Sequence, residues 1–434
     1  MDEQLASLCA EFDVPDGQTL GLNDVGWLKV FRDPTVREQL ERAGFVVVEA
    51  ARIKALSSRE PRLMAKHDFS AARPWFFREH GLSIVPVRRD AYLIGRFDVY
   101  EKFPEHAAPL KSLPIPSGIE SLDFKNLNSE AVMLNAAALS GILTDFVGGG
   151  QLYPTVTGRM STLQLPIRLA DLNLELDVDR AQMEIDGGFE SAERLILVEA
   201  KNHISPDFNI RQLYFPYRRF SQALAKEVVP LYVVYSNGVF HLYRYSFPNP
   251  ADFRSIKLED SARYVLGGSE VTSSALRAVA HRTQPEPEPR IPFPQADSFA
   301  RVVSLLEMLP VAKAEIPQRF GFTPRQADYY VNAGRYLGLM EVNDGVVEGT
   351  PLTGSRDERN LMLVDALARR QVFNAVIREV VEQQRALTKA EAQALMEKAD
   401  LGLTGSTLPR RASTVAAWSQ WIWELIAPEQ LMLV

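Results

Sequence analysis

The stretch AQMEIDGGFESAERLILVEAKNH, residues 181–203, decides the architecture of the middle of the chain. It predicts a β-hairpin, with a first strand that carries Asp186 and a second, apolar strand that ends in Glu199-Ala200-Lys201. Because alternate side chains of a strand share a face, Glu199 and Lys201 are expected to point one way and Ala200 the other. Asp186 on the neighbouring strand reaches the same place. Two carboxylates and a lysine at the end of a buried strand suit a divalent metal ion and the deprotonation of a water molecule.

The composition is that of a globular, multidomain protein. The chain has 434 residues, of which 46% are hydrophobic and 24% charged, and this length predicts about two to four domains. No apolar run approaches the roughly 18 residues of a membrane span. The acidic N-terminus, MDEQLASLCAEFDV, does not have the form of a signal peptide. The single cysteine, Cys9, excludes an intrachain disulfide and a cysteine-based zinc site. We therefore expect a reducing, cytoplasmic setting and no association with a membrane.

The charge is unevenly distributed along the chain. The net charge of −7 argues by itself against a nucleic-acid partner. Residues 52–96, however, contain ten Lys/Arg and four Asp/Glu, and residues 208–226 contain four Lys/Arg and no acidic residue. Local patches, rather than totals, set the affinity for phosphates. Both stretches are therefore either phosphate-binding surfaces or ordinary solvated basic faces.

The chain divides into five predicted parts. Residues 1–117 predict an α+β domain in which arginines, candidates for binding DNA phosphates or reading guanine edges, alternate with aromatic residues. Residues 118–282 predict an α/β domain with a mixed central sheet flanked by helices. The proline-rich residues 283–297 predict an extended linker. Residues 298–355 predict a winged-helix domain, and residues 356–434 a second helical or winged-helix module.

Two features support the winged-helix interpretation. Three predicted helices in 298–355 precede a hairpin with an Asp344-Gly345 turn, and the third helix would be the recognition helix, presenting Arg325 and Gln326. The second module places Arg410 and Arg411 at the start of its last helix. Winged helices also serve as dimerisation units, and this alternative stays open.

The hairpin and its flanks resemble the PD-(D/E)xK nuclease superfamily, to which most Type II restriction endonucleases belong. The resemblance covers about residues 120–250, with a preceding helix that carries Glu130 and a following basic helix that carries Gln212. The proline of the family name is absent, since Ile185 precedes Asp186. The stretches FTPRQADYYVNAGRYLGLME and TLPRRASTVAAWSQWI resemble the C-terminal regions of some bacterial restriction enzymes. The alternative for the hairpin is a surface ion pair on an edge strand.

The resemblance implies a role for each residue of the motif. It assigns catalysis to Asp186, Glu199, Lys201 and Gln212, and metal binding to Asp186, Glu199, the Ala200 carbonyl and Glu130. The metal would be one or two Mg²⁺ ions, for which Mn²⁺ can substitute. Lys201 would orient or deprotonate the attacking water and stabilise the charge on the phosphate.

The function implied is Mg²⁺-dependent, site-specific cleavage of double-stranded DNA by a restriction-endonuclease-like α/β core. A homodimer would match a palindromic site, and the family implies a cognate DNA methyltransferase. The residues predicted to contact DNA are Arg73, Arg88, Arg89, Arg211, Arg218, Arg325, Gln326, Arg410 and Arg411. Two alternatives stay open: a winged-helix DNA-binding regulator with an inactive nuclease fold, and a sequence-nonspecific nuclease of repair or defence.

Overall fold

The N-terminal part of the chain is a helical layer on a small antiparallel sheet. The computed structural model describes residues 3–104, 108, 110–268, 271–403 and 405–431. Residues 3–104 form α1 (Glu3–Glu11), α2 (Leu22–Phe31), α3 (Pro34–Ala43), β1 (Phe45–Glu49), α4 (Ala50–Ser57), α5 (Pro61–Met64), α6 (Trp75–Glu79), β2 (Ser83–Arg88), β3 (Ala91–Gly95) and β4 (Tyr100–Lys102). The sheet has the order β1-β3-β2. Asp33 caps α3 by accepting hydrogen bonds from the Thr35 and Val36 amides, and Gly44, at a φ of 76°, ends it.

The middle of the chain is a mixed α/β unit, as predicted. Its elements are β5 (Leu110–Leu113), α7 (Glu130–Leu139), α8 (Ile142–Val147), β6 (Tyr153–Ser161), β7 (Leu165–Leu169), β8 (Leu174–Val178), β9 (Gln182–Glu190), β10 (Arg194–Lys201), β11 (Asp207–Asn209), α9 (Arg211–Ser221), β12 (Glu227–Ser236), β13 (Val239–Ser246) and β14 (Lys257–Leu266). Seven strands form one sheet in the order β5-β14-β13-β12-β10-β9-β6. β10 runs parallel to β12 and antiparallel to β9.

Helices cover both faces of this sheet. α7 and α8 pack on the face formed by Ile196, Val198 and Ala200, and α9 packs on the face formed by Leu195 and Leu197. The alternation expected for β10 is therefore confirmed. Because β10 is buried on both faces, its consecutive residues 195–198 are all apolar.

Three elements differ from what the local sequence predicts. The alternating residues 91–100 predict one strand, but β3 ends at Gly95, where an added Cβ would lie 2.9 Å from the Phe45 Cβ. The apolar residues 131–147 predict one helix, but it is broken at Gly141, which has a φ of 78°. Ser205-Pro206 predicts the start of a helix, but α9 begins at Arg211, because residues 207–209 pair with β4.

The predicted boundary at residue 117 cuts through the sheet. β5 lies within the predicted N-terminal domain, yet it pairs in parallel with β14 at the edge of the seven-stranded sheet. A second link is the pairing of β4 with β11. The N-terminal part and the α/β unit are thus joined through strands, and composition alone does not reveal such long-range pairing.

The C-terminal part is built mainly from helices. Its elements are α10 (Ser273–Arg282), α11 (Phe299–Glu307), β15 (Val311–Ala312), α12 (Ile316–Phe320), α13 (Pro324–Tyr336), β16 (Met340–Asn343), β17 (Val346–Gly349), α14 (Arg356–Ala368), α15 (Gln371–Gln383), α16 (Lys389–Lys398) and α17 (Thr407–Leu431). The predicted hairpin is present as β16 and β17, and β15 adds a third strand to it. Asp344 and Gly345 both have positive φ, as a two-residue hairpin turn requires.

A single hydrophobic core runs through this part. It contains Val303 from α11, Tyr336 from α13, Val376 from α15 and Trp418 from α17. The two predicted modules, 298–355 and 356–434, therefore share one core over their described residues. Their separation as tandem modules is a correction, since each module leaves an apolar face that the other covers.

The proline-rich segment is extended but packed. Phe293 and Ala296 are buried in the same core, and the Glu286 amide donates to the Arg369 carbonyl at 2.7 Å. α10 lies within the predicted α/β domain of residues 118–282, yet it contributes Leu276 and Val279 to this core. In the described part of the chain, no helix combines the length and apolarity needed to cross a membrane.

Candidate active site

The C-terminal end of β10 brings three carboxylates around one ammonium group. The Lys201 Nζ lies 2.5 Å from the Glu199 Oε1, 4.0 Å from the Asp186 Oδ2 and 4.0 Å from the Glu130 Oε1. Glu130 is the first residue of α7, whose N-cap is Ser129. These four residues, predicted from separate stretches of sequence, lie together. Because Lys201 and Glu199 are nearly buried and β10 is an internal strand, the alternative of an edge-strand surface pair does not describe them.

Hydrogen bonds hold the arrangement in place. Gln212, in the first turn of α9, donates through Nε2 to the Glu199 Oε1. The Ala200 amide donates to the Asp186 Oδ2 at 2.8 Å, and the Lys201 Nζ donates to the Ala200 carbonyl at 2.9 Å. These contacts therefore link all five residues that the motif assigned to β9, β10 and α9 into one connected set.

The electrostatics of the site favour an added cation. Burial raises the pKa of Glu199 to about 8, although Lys201 acts in the opposite direction. Burial likewise raises the pKa of Glu130. Burial acts to lower the pKa of Lys201, but the surrounding carboxylates outweigh it and hold that pKa well above its ordinary value. Lys201 is therefore charged. When the three carboxylates are ionised, they carry more negative charge than one ammonium group balances.

The donor atoms fit a hard divalent cation. The carboxylates of Asp186 and Glu199 and the carbonyl of Ala200 are oxygen donors of the kind that Mg²⁺ and Mn²⁺ prefer. As they stand, no three acidic, histidine or cysteine side chains in the described residues are spaced to hold a metal ion. Two carboxylates, a carbonyl and retained waters are enough for Mg²⁺, and Lys201 now donates to two of these oxygens.

The buried Glu199 predicts a pH dependence of stability. Its pKa is about 8 in the folded protein, against an ordinary value of 4.5. Between these values the folded state binds a proton that the unfolded chain has lost, so the free energy of unfolding falls as pH rises through this window. Without divalent cations, the parent should lose more stability between about pH 5 and about pH 8 than the Glu199→Gln variant. Parallel urea-denaturation profiles for both proteins would contradict this.

Two neighbours of the motif have structural partners. Glu184, on the same strand as Asp186, lies 3.3 Å from the Arg159 Nε and 3.7 Å from an Arg62 guanidinium nitrogen. It therefore faces two arginines rather than Lys201. His203 is buried against aromatic rings, and burial lowers its pKa to about 3. Sequence reasoning missed Arg62 and Arg159, whose positions depend on pairing between distant segments.

Several predicted DNA-contact residues lie on the surface. Arg88 and Arg89 are exposed at the turn between β2 and β3, where the Arg88 Nε lies 3.5 Å from the Asp90 carboxylate. Arg211 is half-buried at the start of α9. These side chains are open to solvent to different degrees, and Arg88 and Arg89 are the most accessible.

Arginines from the two C-terminal segments meet at Tyr329. The Arg325 guanidinium lies 5.4 Å from the Tyr329 ring centroid, and its Nε donates to the Tyr329 hydroxyl. Burial lowers the pKa of Arg411, while Tyr329 acts to raise it and Arg410 adds to the lowering. Arg325 and Arg411 are thus both close to Tyr329, and together with Arg410, which precedes Arg411 in α17, they are called the Tyr329 surface. Gln326 is instead used in the helix cap, because its Oε1 accepts from the Thr323 amide at 2.9 Å.

One predicted DNA contact, Arg218, is corrected by the structure, and a second, Arg73, is half-buried and hydrogen-bonded within the fold. Arg218 is 5% exposed and donates to the Pro166 carbonyl and the Tyr214 hydroxyl at 3.0 and 2.6 Å, and also to the Pro250 carbonyl. Arg73 donates to two main-chain carbonyls at 2.9 Å and lies over the Tyr100 ring. Both arginines tie segments of the chain together. A basic helix in sequence does not reveal which of its charges face inward.

Replacing Arg218 with alanine should therefore affect stability rather than DNA binding. The substitution removes a buried guanidinium together with its hydrogen bonds to three acceptors and should cost about 2–3 kcal/mol of unfolding free energy. Urea denaturation measures this, with the exposed Arg89→Ala variant as control. An Arg218→Ala protein of unchanged stability that binds DNA more weakly would restore the predicted contact.

Three protein-family models match successive parts of the chain. A family model described as a domain of unknown function, DUF6996, matches residues 24–94, and a second, DUF6997, matches residues 95–265. A third, DUF7226, matches residues 301–427. The chain is thus similar to three families whose descriptions state no function. No curated protein and no solved structure matches the chain.

Proposed function

We propose that this chain is a Mg²⁺-dependent endonuclease of double-stranded DNA, of the Type II restriction kind. The observation that carries the proposal is the position of the Lys201 Nζ within 4.0 Å of the carboxylates of Glu130, Asp186 and Glu199, at the end of a buried strand. Charges taken into a protein interior are costly to stability, so their concentration at one point favours a chemical role.

The chemistry follows from the donor set. Asp186, Glu199 and the Ala200 carbonyl would bind Mg²⁺, for which Mn²⁺ can substitute, and Glu130 would be an auxiliary ligand. The metal would lower the pKa of a bound water and screen the phosphate. Lys201 would orient the attacking water and stabilise the negative charge that develops on the phosphate oxygens. Gln212 would position Glu199 through the hydrogen bond that it donates.

The architecture supports the proposal in two ways. A mixed sheet with helices on both faces, and with the acidic motif on adjacent antiparallel strands, is compatible with a restriction-endonuclease-like core. The order α11, β15, α12, α13, β16, β17 is that of a winged helix, with α13 as recognition helix. The Tyr329 surface at the start of α13 would then contact phosphates.

The partners belong to the same proposal. Two copies of the chain, related by a two-fold axis, would cut the two strands of a palindromic site. A cognate methyltransferase would protect the host DNA, and the enzyme would act in the cytoplasm. The exposed Arg88 and Arg89 and the half-buried Arg211 are further candidates for DNA contact.

The test is incubation of the full chain with plasmid DNA and MgCl₂, followed by gel electrophoresis. Discrete bands that EDTA abolishes would support a site-specific enzyme, whereas a smear would indicate a sequence-nonspecific nuclease. Intact DNA with retarded mobility would indicate a DNA-binding regulator with an inactive nuclease fold. Intact DNA that is not retarded, across plasmids of varied sequence, would contradict the proposal.

A further inference from the structure

The loop that carries Asp68 is fixed against the segment that follows the motif. The carbonyls of His67 and Asp68 accept hydrogen bonds from the side chain and the amide of Asn209, at 3.0 and 2.9 Å. The Ser70 amide donates to the Asp207 Oδ1 at 2.9 Å. Backbone bonds on both sides of Asp68 therefore hold this N-terminal loop to residues that lie a few positions after Lys201.

Ring contacts strengthen the attachment. Phe69 packs edge-on against His203, with ring centroids 5.5 Å apart. His203 in turn contacts Phe320 of α12 at 5.3 Å. The loop is thus held between His203, which lies two residues after Lys201, and the C-terminal part, and Asp68 is fixed close to the end of β10.

Asp68 brings a fourth carboxylate close to the site, because its loop is bonded to residues 207–209 and packs on His203. Its side chain is 16% exposed, and its Oδ2 lies 3.4 Å from the Lys66 Nζ. Burial is the main reason why the pKa values of Glu199 and Glu130 are raised. The charge of Asp68 adds a smaller effect in the same direction. When all are ionised, four carboxylates and the ammonium groups of Lys66 and Lys201 leave an excess of two negative charges. One divalent cation would balance that excess.

An independent sign of a ligand is the Tyr232 hydroxyl. Tyr232 lies on β12 opposite Glu199 and is fully buried, and its ring contacts Phe103 and Phe208. Its hydroxyl has no hydrogen-bond partner among the described residues. Tyr232 pairs with Glu199 in the strand register, and the charges of Lys201, Glu199 and Asp68 all act on its pKa, so it lies beside the carboxylate cluster. Leaving a buried hydroxyl unpaired costs about 1–3 kcal/mol, which indicates that the site is complete only with a further group.

We infer that Asp68 and the Tyr232 hydroxyl bind the water shell of the divalent cation that Asp186 and Glu199 hold. Mg²⁺ gives up its waters reluctantly and keeps several of them in protein sites. The Asp68 carboxylate and the Tyr232 hydroxyl would not bind the metal directly. They can accept hydrogen bonds from its bound waters and orient them. The N-terminal part then supplies a positioning residue to the active site. This inference rests on the metal-dependent part of the proposed function.

The test is Mn²⁺ binding to the full chain, measured by titration calorimetry and by the electron paramagnetic resonance signal of free Mn²⁺. Asp68→Asn, which preserves shape, should weaken binding by about 10- to 100-fold, as loss of outer-layer partners of metal sites does. Tyr232→Phe should weaken it in the same direction. The control is Asp90→Asn, at a carboxylate that is 74% exposed, and it should bind like the parent. Asp68→Glu should recover part of the affinity.

Two results would overturn the inference. One is an Asp68→Asn protein with the same Mn²⁺ affinity as Asp90→Asn, and the other is a parent protein that binds no Mn²⁺. Thermal unfolding without metal checks that the variants are folded. A third result separates the inference from the proposed function. If the parent binds Mn²⁺ and the Asp68→Asn variant binds it more weakly, but the parent leaves DNA intact, the inference is supported and the nuclease function is contradicted.

Discussion

Replacing Lys201 with methionine is expected to reduce DNA cleavage by at least about 10²–10³-fold, the effect of removing one group that stabilises developing negative charge. Methionine keeps much of the length of the lysine side chain but removes the ammonium group that donates to Glu199 and Ala200. DNA binding should remain, because the exposed arginines lie elsewhere. The measurement is the single-turnover rate of plasmid cleavage beside a gel-shift titration.

The matched control for this experiment is Lys226→Met. Lys226 also pairs with a glutamate, since its Nζ lies 2.6 Å from the Glu190 Oε1, but it lies before β12 and outside the carboxylate cluster. It should cleave at the rate of the parent. A Lys201→Met protein that cleaves as fast as the Lys226→Met protein would show that the site is assigned wrongly.

Replacing Trp418 with alanine is expected to cost about 3–5 kcal/mol of unfolding free energy, the usual cost of truncating a buried tryptophan. Trp418 is fully buried, stacks on Phe373 with ring centroids 4.9 Å apart, and donates to the Ala296 carbonyl at 2.9 Å. It also contacts Phe299 of α11. Because one core joins these elements, the loss should destabilise the whole C-terminal part in one transition.

Denaturant unfolding followed by hydrogen exchange measures this effect. Protection in α11 and α13 should fall together with protection in α15 and α17. The partly buried Trp421 provides a control, and its replacement should cost less. Exchange that weakens only within 356–431, with 299–349 unchanged, would show instead that the two segments are separate modules.

The sequence was most informative where structure is local. The apolar run before Glu199 and its spacing from Asp186 predicted the hairpin, its strand direction and the face that each side chain occupies. The cap at Thr323 and the Asp344-Gly345 turn similarly located α13 and the hairpin after it. These signals lie within a few residues of the structure that they determine, so they can be read without knowledge of the fold.

The rest depended on contacts between distant segments. Asp68 lies more than 100 residues before Lys201, and no local pattern distinguishes it from a solvated aspartate. In the sequence, Arg218 cannot be told from the half-buried Arg219 beside it, and only the structure shows that it donates to the carbonyls of Pro166 and Pro250. The shared C-terminal core could not be predicted either. The apolar stripe of a helix has the same spacing in the sequence whether the helix packs within one module or against a second module.

The pairing of β5 with β14 has a practical consequence for dissecting the protein. A fragment that begins at residue 118 would retain Asp186, Glu199 and Lys201 but would lack residues 110–113, which pair with one side of β14. The amide and carbonyl groups along that side would then be free to pair with another molecule, as exposed sheet edges do. Such a fragment should self-associate at concentrations at which the full chain does not, so the shortest monomeric fragment that contains the candidate site should start upstream of Leu110.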